Sequence, residues 1–183
     1  MNTSQAAFPD LRELVQLFYP EVEDLGRFEN RPSGSLPAPY AGLLDHNHHM
    51  TVTVESHHAS PVDVQVLEVE SRGDTYCRKI LLSRQSDNQV VMFGIVRLHQ
   101  RYLNEVVRRE IESQRVPLGR VLIEHNVLRR VELGKLWHVQ PNVELQRHFN
   151  STHAGVTFGR TAIIHCDDEP AIELVEIVAP DLP

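Results

Sequence analysis

Three stretches of this chain alternate in the manner of β-strands, and each sets one charged residue on an otherwise apolar face. Tyr76, Arg78, Ile80 and Leu82 share a face in the first, and Val156, Phe158, Arg160, Ala162 and Ile164 in the second. In the third, Ile172, Leu174, Glu176 and Val178 alternate with Glu173, Val175 and Ile177. Strand side chains alternate with a period of two, so each charge points where its neighbours bury. A buried charge without a partner is costly, by several kcal/mol in mutational series. Two arginines and one glutamate aimed inward therefore suggest a cavity for a charged, partly apolar small molecule.

The rest of the pattern builds a sheet around these stretches. Val62 to Glu70 alternates, with a phase shift between Val66 and Leu67 that predicts a bulge. Gly73-Asp74 signals a tight turn into Thr75–Ser83, and Asp87-Asn88 a second turn. Gln89 to Leu98 is nearly all apolar, as expected of a strand covered on both faces. Met50 to Glu55 alternates threonine and valine and reads as another strand. Two last strands meet at Asp167-Asp168-Glu169-Pro170. Helical spacing marks residues 10–18, with Asp10 as N-cap, then the Leu103, Val106, Val107 and Ile111 stripe, then Gly119–Glu124 after Pro117. Ala41–Leu44 reads as one helical turn, and residues 26–40, with Pro32, Gly34, Pro37 and Pro39, as a loop. Residues 128–150 read as a strand through Leu136 and Val139, then a helix near Val143 to Phe149. Successive hairpins with inserted helices predict an α+β fold, a single antiparallel sheet of about six strands with helices packed on one face. Residues 1–40 are expected to be an N-terminal helix and Pro/Gly-rich loop belonging to the same domain as residues 41–183.

Composition narrows the function. The formal net charge of −7 argues against a nucleic-acid binder, which usually shows a basic stripe. No apolar run reaches the ~18 residues of a membrane span. Met1 to Gln16 has no basic start followed by an apolar run, so no export signal is expected. Cys77 and Cys166 then read as reduced core thiols in the cytoplasm.

Arg78 and Glu176 stand out chemically. A guanidinium grips a carboxylate in a bidentate fork and stays charged. A glutamate among apolar side chains has a raised pKa and could donate a proton or hold a hydroxyl. The alternative is a structural Arg78–Glu176 pair across two strands, and Arg160 carries the same alternative. Pro117-Leu118-Gly119-Arg120 opens a helix, where backbone N–H groups favour anions and Arg120 could add charge; a proline-initiated helix with a surface arginine is the plain alternative. Asp45-His46-Asn47-His48-His49 and His57-His58 are rich in imidazole, but no HExxH helix or cupin-like glutamate accompanies them, so they read as an exposed polar segment and no metal is expected.

In this order, the residues resemble the chorismate pyruvate-lyase family over about residues 43–180. The matching blocks are Leu44-Asp45 with Met50-Thr51, Arg78-Lys79-Ile80-Leu81-Leu82, Pro117-Leu118-Gly119-Arg120, Gly159-Arg160, and Glu176-Ile177-Val178-Ala179-Pro180. The resemblance implies a chorismate lyase-like fold and a carbon–oxygen lyase that eliminates pyruvate from chorismate to leave 4-hydroxybenzoate, with no cofactor. It implies catalytic roles for Arg78, holding the carboxylate, and Glu176, meeting the hydroxyl. Met50, Leu118, Gly119, Arg120 and Arg160 are implied on the substrate, chorismate being the partner and nucleic acid and membrane not. Residues 128–155 look longer than the family's corresponding segment and are expected to cover the site.

Two other functions fit. One is a non-catalytic module of the same fold that binds an aromatic carboxylate, as the effector domains of some bacterial transcription regulators bind small ligands. Such domains follow a winged helix, for which the roughly 40 residues before the sheet look too short. The other is a metal-dependent enzyme using His46, His48 and His58.

Overall fold

The computed structural model describes residues 9–127, 129–150 and 155–180. Its centre is one antiparallel sheet of seven strands. These are β1 (Gly26–Arg31), β2 (Val62–Arg72), β3 (Thr75–Arg84), β4 (Val90–His99), β5 (Arg129–Pro141), β6 (Thr157–Cys166) and β7 (Glu169–Val178). They lie in the order β1-β5-β6-β7-β4-β3-β2. The α+β class and the single antiparallel sheet are as expected.

Among the described residues six α-helices accompany the sheet: α1 (Leu11–Val15), α2 (Tyr40–Leu44), α3 (Met50–His58), α4 (Glu105–Glu112), α5 (Leu118–Glu124) and α6 (Val143–His148). Helices α2 to α5 pack on the face that carries Tyr76, Ile80, Val96 and Leu174. The opposite face, with Phe93, Ile95, Val175 and Ile177, is covered by α1 and α6. Both faces of β4 and β7 are thus buried, which is why these strands read as near-continuous apolar runs. The phase shift in β2 is a bulge between Val66 and Glu68.

Three local expectations change. Met50–Glu55 is not a strand but the start of α3. Its threonines and valines favour strands intrinsically, but Met50 and Val54, four residues apart, both bury against α2 and the sheet, and packing overrides propensity. Ala59 ends the helix in the left-handed conformation, with His57 and His58 at its negative pole. Residues 26–31, expected as loop, form the edge strand β1 paired with β5. This strand is polar and mostly exposed, as edges often are, so it shows no apolar alternation. The described part of the 128–155 stretch does not cover the face that carries Arg78, Arg160 and Glu176: β5 lies within the sheet and α6 packs on the other face, while residues 128 and 151–154 lie outside the described residues.

Candidate functional site

Strand register sets the inward charges. On β3, Arg78 lies opposite Val96 of β4, which in turn lies opposite Leu174 of β7. Two residues along, Ile80 faces Gly94, Gly94 faces Glu176, and Glu176 faces Arg160 of β6. All three charged residues are on the same face and buried, with relative exposures of 0% for Arg78, 1% for Arg160 and 6% for Glu176.

Between this face and the first turns of α3 and α5 lies a cavity. Met50 and Thr51 wall one side, Leu118 and Gly119 the other, with Gly94, Arg160 and Glu176 among the residues of the floor. The centre of a water-sized sphere moves through about 30 Å³ of it, against roughly 10–15 Å³ for seating one water. Two glycines make the space. Lacking a side chain, Gly94 leaves the middle of the floor open; a Cβ there would stand 3.2 Å from Ile80 Cγ1. Gly119 lets α5 abut α3, since a Cβ there would sit 2.9 Å from Thr51 Oγ1. The N-cap of α3, His49, makes no side-chain capping bond, so the first amides of that helix have no side-chain acceptor.

Arg160 and Glu176 answer each other. Arg160 Nε donates to Glu176 Oε2 at 2.7 Å. Its Nη1 donates to the His46 carbonyl at 2.9 Å and its Nη2 to the His48 carbonyl at 3.1 Å. Bonded through all three nitrogens, this guanidinium staples the 46–48 loop to the sheet. The structural pair is therefore Arg160–Glu176, not Arg78–Glu176.

Arg78 is in the opposite condition. Its Nη1 donates to the Ile111 carbonyl at 3.1 Å, in the last turn of α4. Its Nε and Nη2 have no hydrogen-bond partner, and it forms no ion pair among the described residues. Burial pushes the guanidinium below its ordinary pKa, with Tyr76 opposing; the Tyr76 hydroxyl lies near enough to sense the charge yet makes no hydrogen bond in good geometry. Arg78 adjoins the cavity through its cross-strand partner Val96, which is on the wall. Arg120 is drawn elsewhere, into an ion pair with Glu55 of α3, whose carboxylate also accepts the Val62 N–H at 3.0 Å.

His46 and His49 are partly buried, unlike the exposed polar segment expected. His46 is half-buried, with Nε2 2.7 Å from the Leu43 carbonyl, and burial followed by the Arg160 charge lowers its pKa. His49 lines the cavity and accepts from Arg129 Nε at 2.8 Å through Nε2. Burial, then the charges of Arg129, Arg160 and His48, lower its pKa to about 4. Spacing alone could have flagged only that His49 immediately precedes Met50. His46, His48 and His58 do not converge, and no group of three ligating side chains that could hold a metal ion occurs among the described residues.

No protein-family model matches the sequence, and no curated protein sequence does. Solved structures do resemble it in fold. PhnF from Mycobacterium smegmatis aligns with a TM-score of 0.51 at 9% identity, over 73% of this chain and 64% of that one. The effector domain of the same PhnF aligns with a TM-score of 0.51 at 11% identity, over 73% and 89%. The ligand-binding domain of a putative GntR-family transcriptional regulator from Bordetella bronchiseptica aligns with a TM-score of 0.51 at 14% identity, over 66% and 86%. The chain thus spans less than two thirds of the first of these proteins, but most of the two isolated domains. It has the chorismate lyase-like fold that effector domains of GntR-family regulators share.

These findings correct the functional expectation. The neighbours are regulator domains, not lyases, and nothing among them supports elimination of pyruvate from chorismate or an enzyme of any kind. In the site, Glu176 accepts from Arg160, and Arg78 reaches toward α4. With the lyase go chorismate as partner and 4-hydroxybenzoate and pyruvate as products. The expectation of no nucleic-acid partner also falls, since the neighbours come from transcriptional regulators, although this chain corresponds to their ligand-binding part. No helix among the described residues is long and apolar enough to cross a membrane.

Proposed function

We propose that this chain is a non-catalytic ligand-binding domain that holds a small organic anion between its sheet and the first turns of α3 and α5. The observation that carries this reading is Arg78: a fully buried guanidinium with two unpaired donors and no carboxylate among the described residues. Buried donors are nearly always satisfied, and exceptions call for a missing partner. A carboxylate would accept both free N–H groups in one plane. The cavity beside it is lined mainly by apolar side chains such as Ile80, Leu82 and Val96, which suits an aromatic or aliphatic body. In this reading the backbone at Met50, Leu118 and Gly119 borders the ligand, and the Arg160–Glu176 pair forms a fixed polar floor. Arg120 holds α5 against α3 and does not touch the ligand. The likeness in fold to effector domains supports a sensory role, in which occupancy is passed to a separate DNA-binding unit.

The test is calorimetric titration of the purified chain with benzoate at pH 7, beside benzamide as the neutral isostere. Benzoate should bind and benzamide should not, and Arg78→Met should abolish the benzoate signal. Equal binding of both probes, or benzoate binding that survives Arg78→Met, would overturn the reading.

A further inference from the structure

An open groove runs beside the inner cavity, bounded by α3, α5 and the start of β5. It is much larger, about 870 Å³ by the same measure. Cavity and groove share two residues, His49 and Val131. The partition between them is therefore one imidazole and one valine, and the imidazole is uncharged at neutral pH because burial and the Arg129, Arg160 and His48 charges oppose its protonation.

The groove's lining is mixed: Val52, Ile123 and Val127 provide apolar surface, and Arg129 lies beside the paired Arg130 and Glu132. Val52 of α3 and Ile123 of α5 stand in it with 49% and 40% of their surface exposed. Arg129 donates Nε to His49 at 2.8 Å and Nη1 to the Val127 carbonyl at 3.0 Å. Among the described residues its Nη2 makes no hydrogen bond and its guanidinium meets no carboxylate. Its neighbour Arg130 is by contrast neutralised by Glu132 at 2.9 Å. Arg129 is thus a pre-oriented cation, held by His49 and by the Val127 and Leu122 carbonyls, beside the partition between groove and cavity.

We propose that this groove is the outer half of the same ligand site, taking an apolar extension of the bound anion that ends in a second acidic group on Arg129. The ligand class is an acid with an apolar body and an acidic far end: an α,ω-dicarboxylate or an aromatic acid with an acidic side chain. The proposal rests on the anion-site reading above and goes beyond it in assigning length and a second charge.

The experiment compares octanoate with suberate, chains of equal length with one and two carboxylates, by calorimetric titration alongside benzoate. Suberate should bind about tenfold more tightly than octanoate, the usual effect of one charge-assisted hydrogen bond. Arg129→Gln should bring the suberate-to-octanoate ratio to about one; Arg129→Lys, which keeps the charge, should retain part of it and guards against a folding defect. Ile123→Ser and Val52→Ser, on exposed positions, should weaken octanoate and suberate together and leave benzoate unchanged. Suberate binding no tighter than octanoate, or a ratio indifferent to Arg129, would overturn the groove while Arg78-dependent benzoate binding left the inner site standing. Failure of all three acids to bind would overturn both.

Discussion

Arg78→Met should make the ligand-free domain more stable. The guanidinium is fully buried and makes one hydrogen bond, to the Ile111 carbonyl at 3.1 Å. Its other two buried donors are unpaired. Each such donor costs about 1–3 kcal/mol, whereas a hydrogen bond from a charged group returns about 1.5–3 kcal/mol. Methionine fills a similar volume with a flexible apolar chain, removing both the penalty and the single bond while keeping the contacts of the stem. The net change should be a gain of about 1–2 kcal/mol, or roughly 2–8 °C in Tm for a domain of this size. Thermal unfolding followed by circular dichroism at pH 7, without added carboxylate buffers, measures it. Arg160→Met is the internal control: every nitrogen of that guanidinium is bonded, to Glu176 and two carbonyls, so its loss strands a buried carboxylate and should lower stability by about 3–5 kcal/mol. The two variants remove the same group from the same face of the same sheet. A loss of stability in Arg78→Met comparable to that in Arg160→Met would refute the reasoning, because Arg78 would then be a structural residue and not a vacant anion partner.

Other expectations follow from the same network. Glu176→Gln leaves Arg160 without a counter-charge in the floor and should cost about 3 kcal/mol in urea denaturation. His49 is held well below its unfolded pKa, at about 4, so its contribution is present above about pH 6.5 and is lost as pH falls toward 4; His49→Gln, which still accepts from Arg129, should flatten the decline in Tm across that window. On the opposite face burial pushes Glu173 up, but hydrogen bonds from His99 and Arg97, with their charge, hold it at about 2. Its contribution, at most about 3 kcal/mol, is therefore present above about pH 4.5 and lost as pH falls toward 2, and Glu173→Gln should remove that lower step from an acid-unfolding curve.

How far the chain could be read depends on which physical term decided each element. Period-two alternation placed Arg78, Arg160 and Glu176 on inward faces, because burial on a sheet face depends on nothing but parity. It could not say which of them meet. That is a matter of strand order, and β6 lies beside β7 while β3 lies two strands away, so Glu176 meets Arg160. The helix α3 was illegible because its threonines and valines carry the local propensity of a strand, and only the space between α2 and the sheet makes it a helix. Edge strand β1 was illegible for the reverse reason: with little apolar burial, its pairing with β5 is carried by backbone bonds that any sequence could make. The roles of His46 and His48 rest on their carbonyls, which accept from Arg160, and a backbone oxygen has no signature in a side-chain pattern. The family resemblance reached the right fold and the wrong activity, since the blocks it rests on are those that shape the cavity.

Gly94 has a consequence for what this domain could come to accept. It lies in the interior strand β4, between Ile80 and Glu176, and its missing side chain is the headroom of the inner cavity. None of the charged groups depends on it: Arg78 reaches α4, and Arg160 reaches the 46–48 loop. The girth of an admissible guest is therefore adjustable independently of its charge. Alanine would press on the Ile80 side chain, a flexible neighbour at 3.2 Å that can turn aside, and valine would close the space outright. One codon on a strand locked from both sides acts as a bore gauge, so related chains could be sorted by the width of the molecule they hold while keeping the same anion grip.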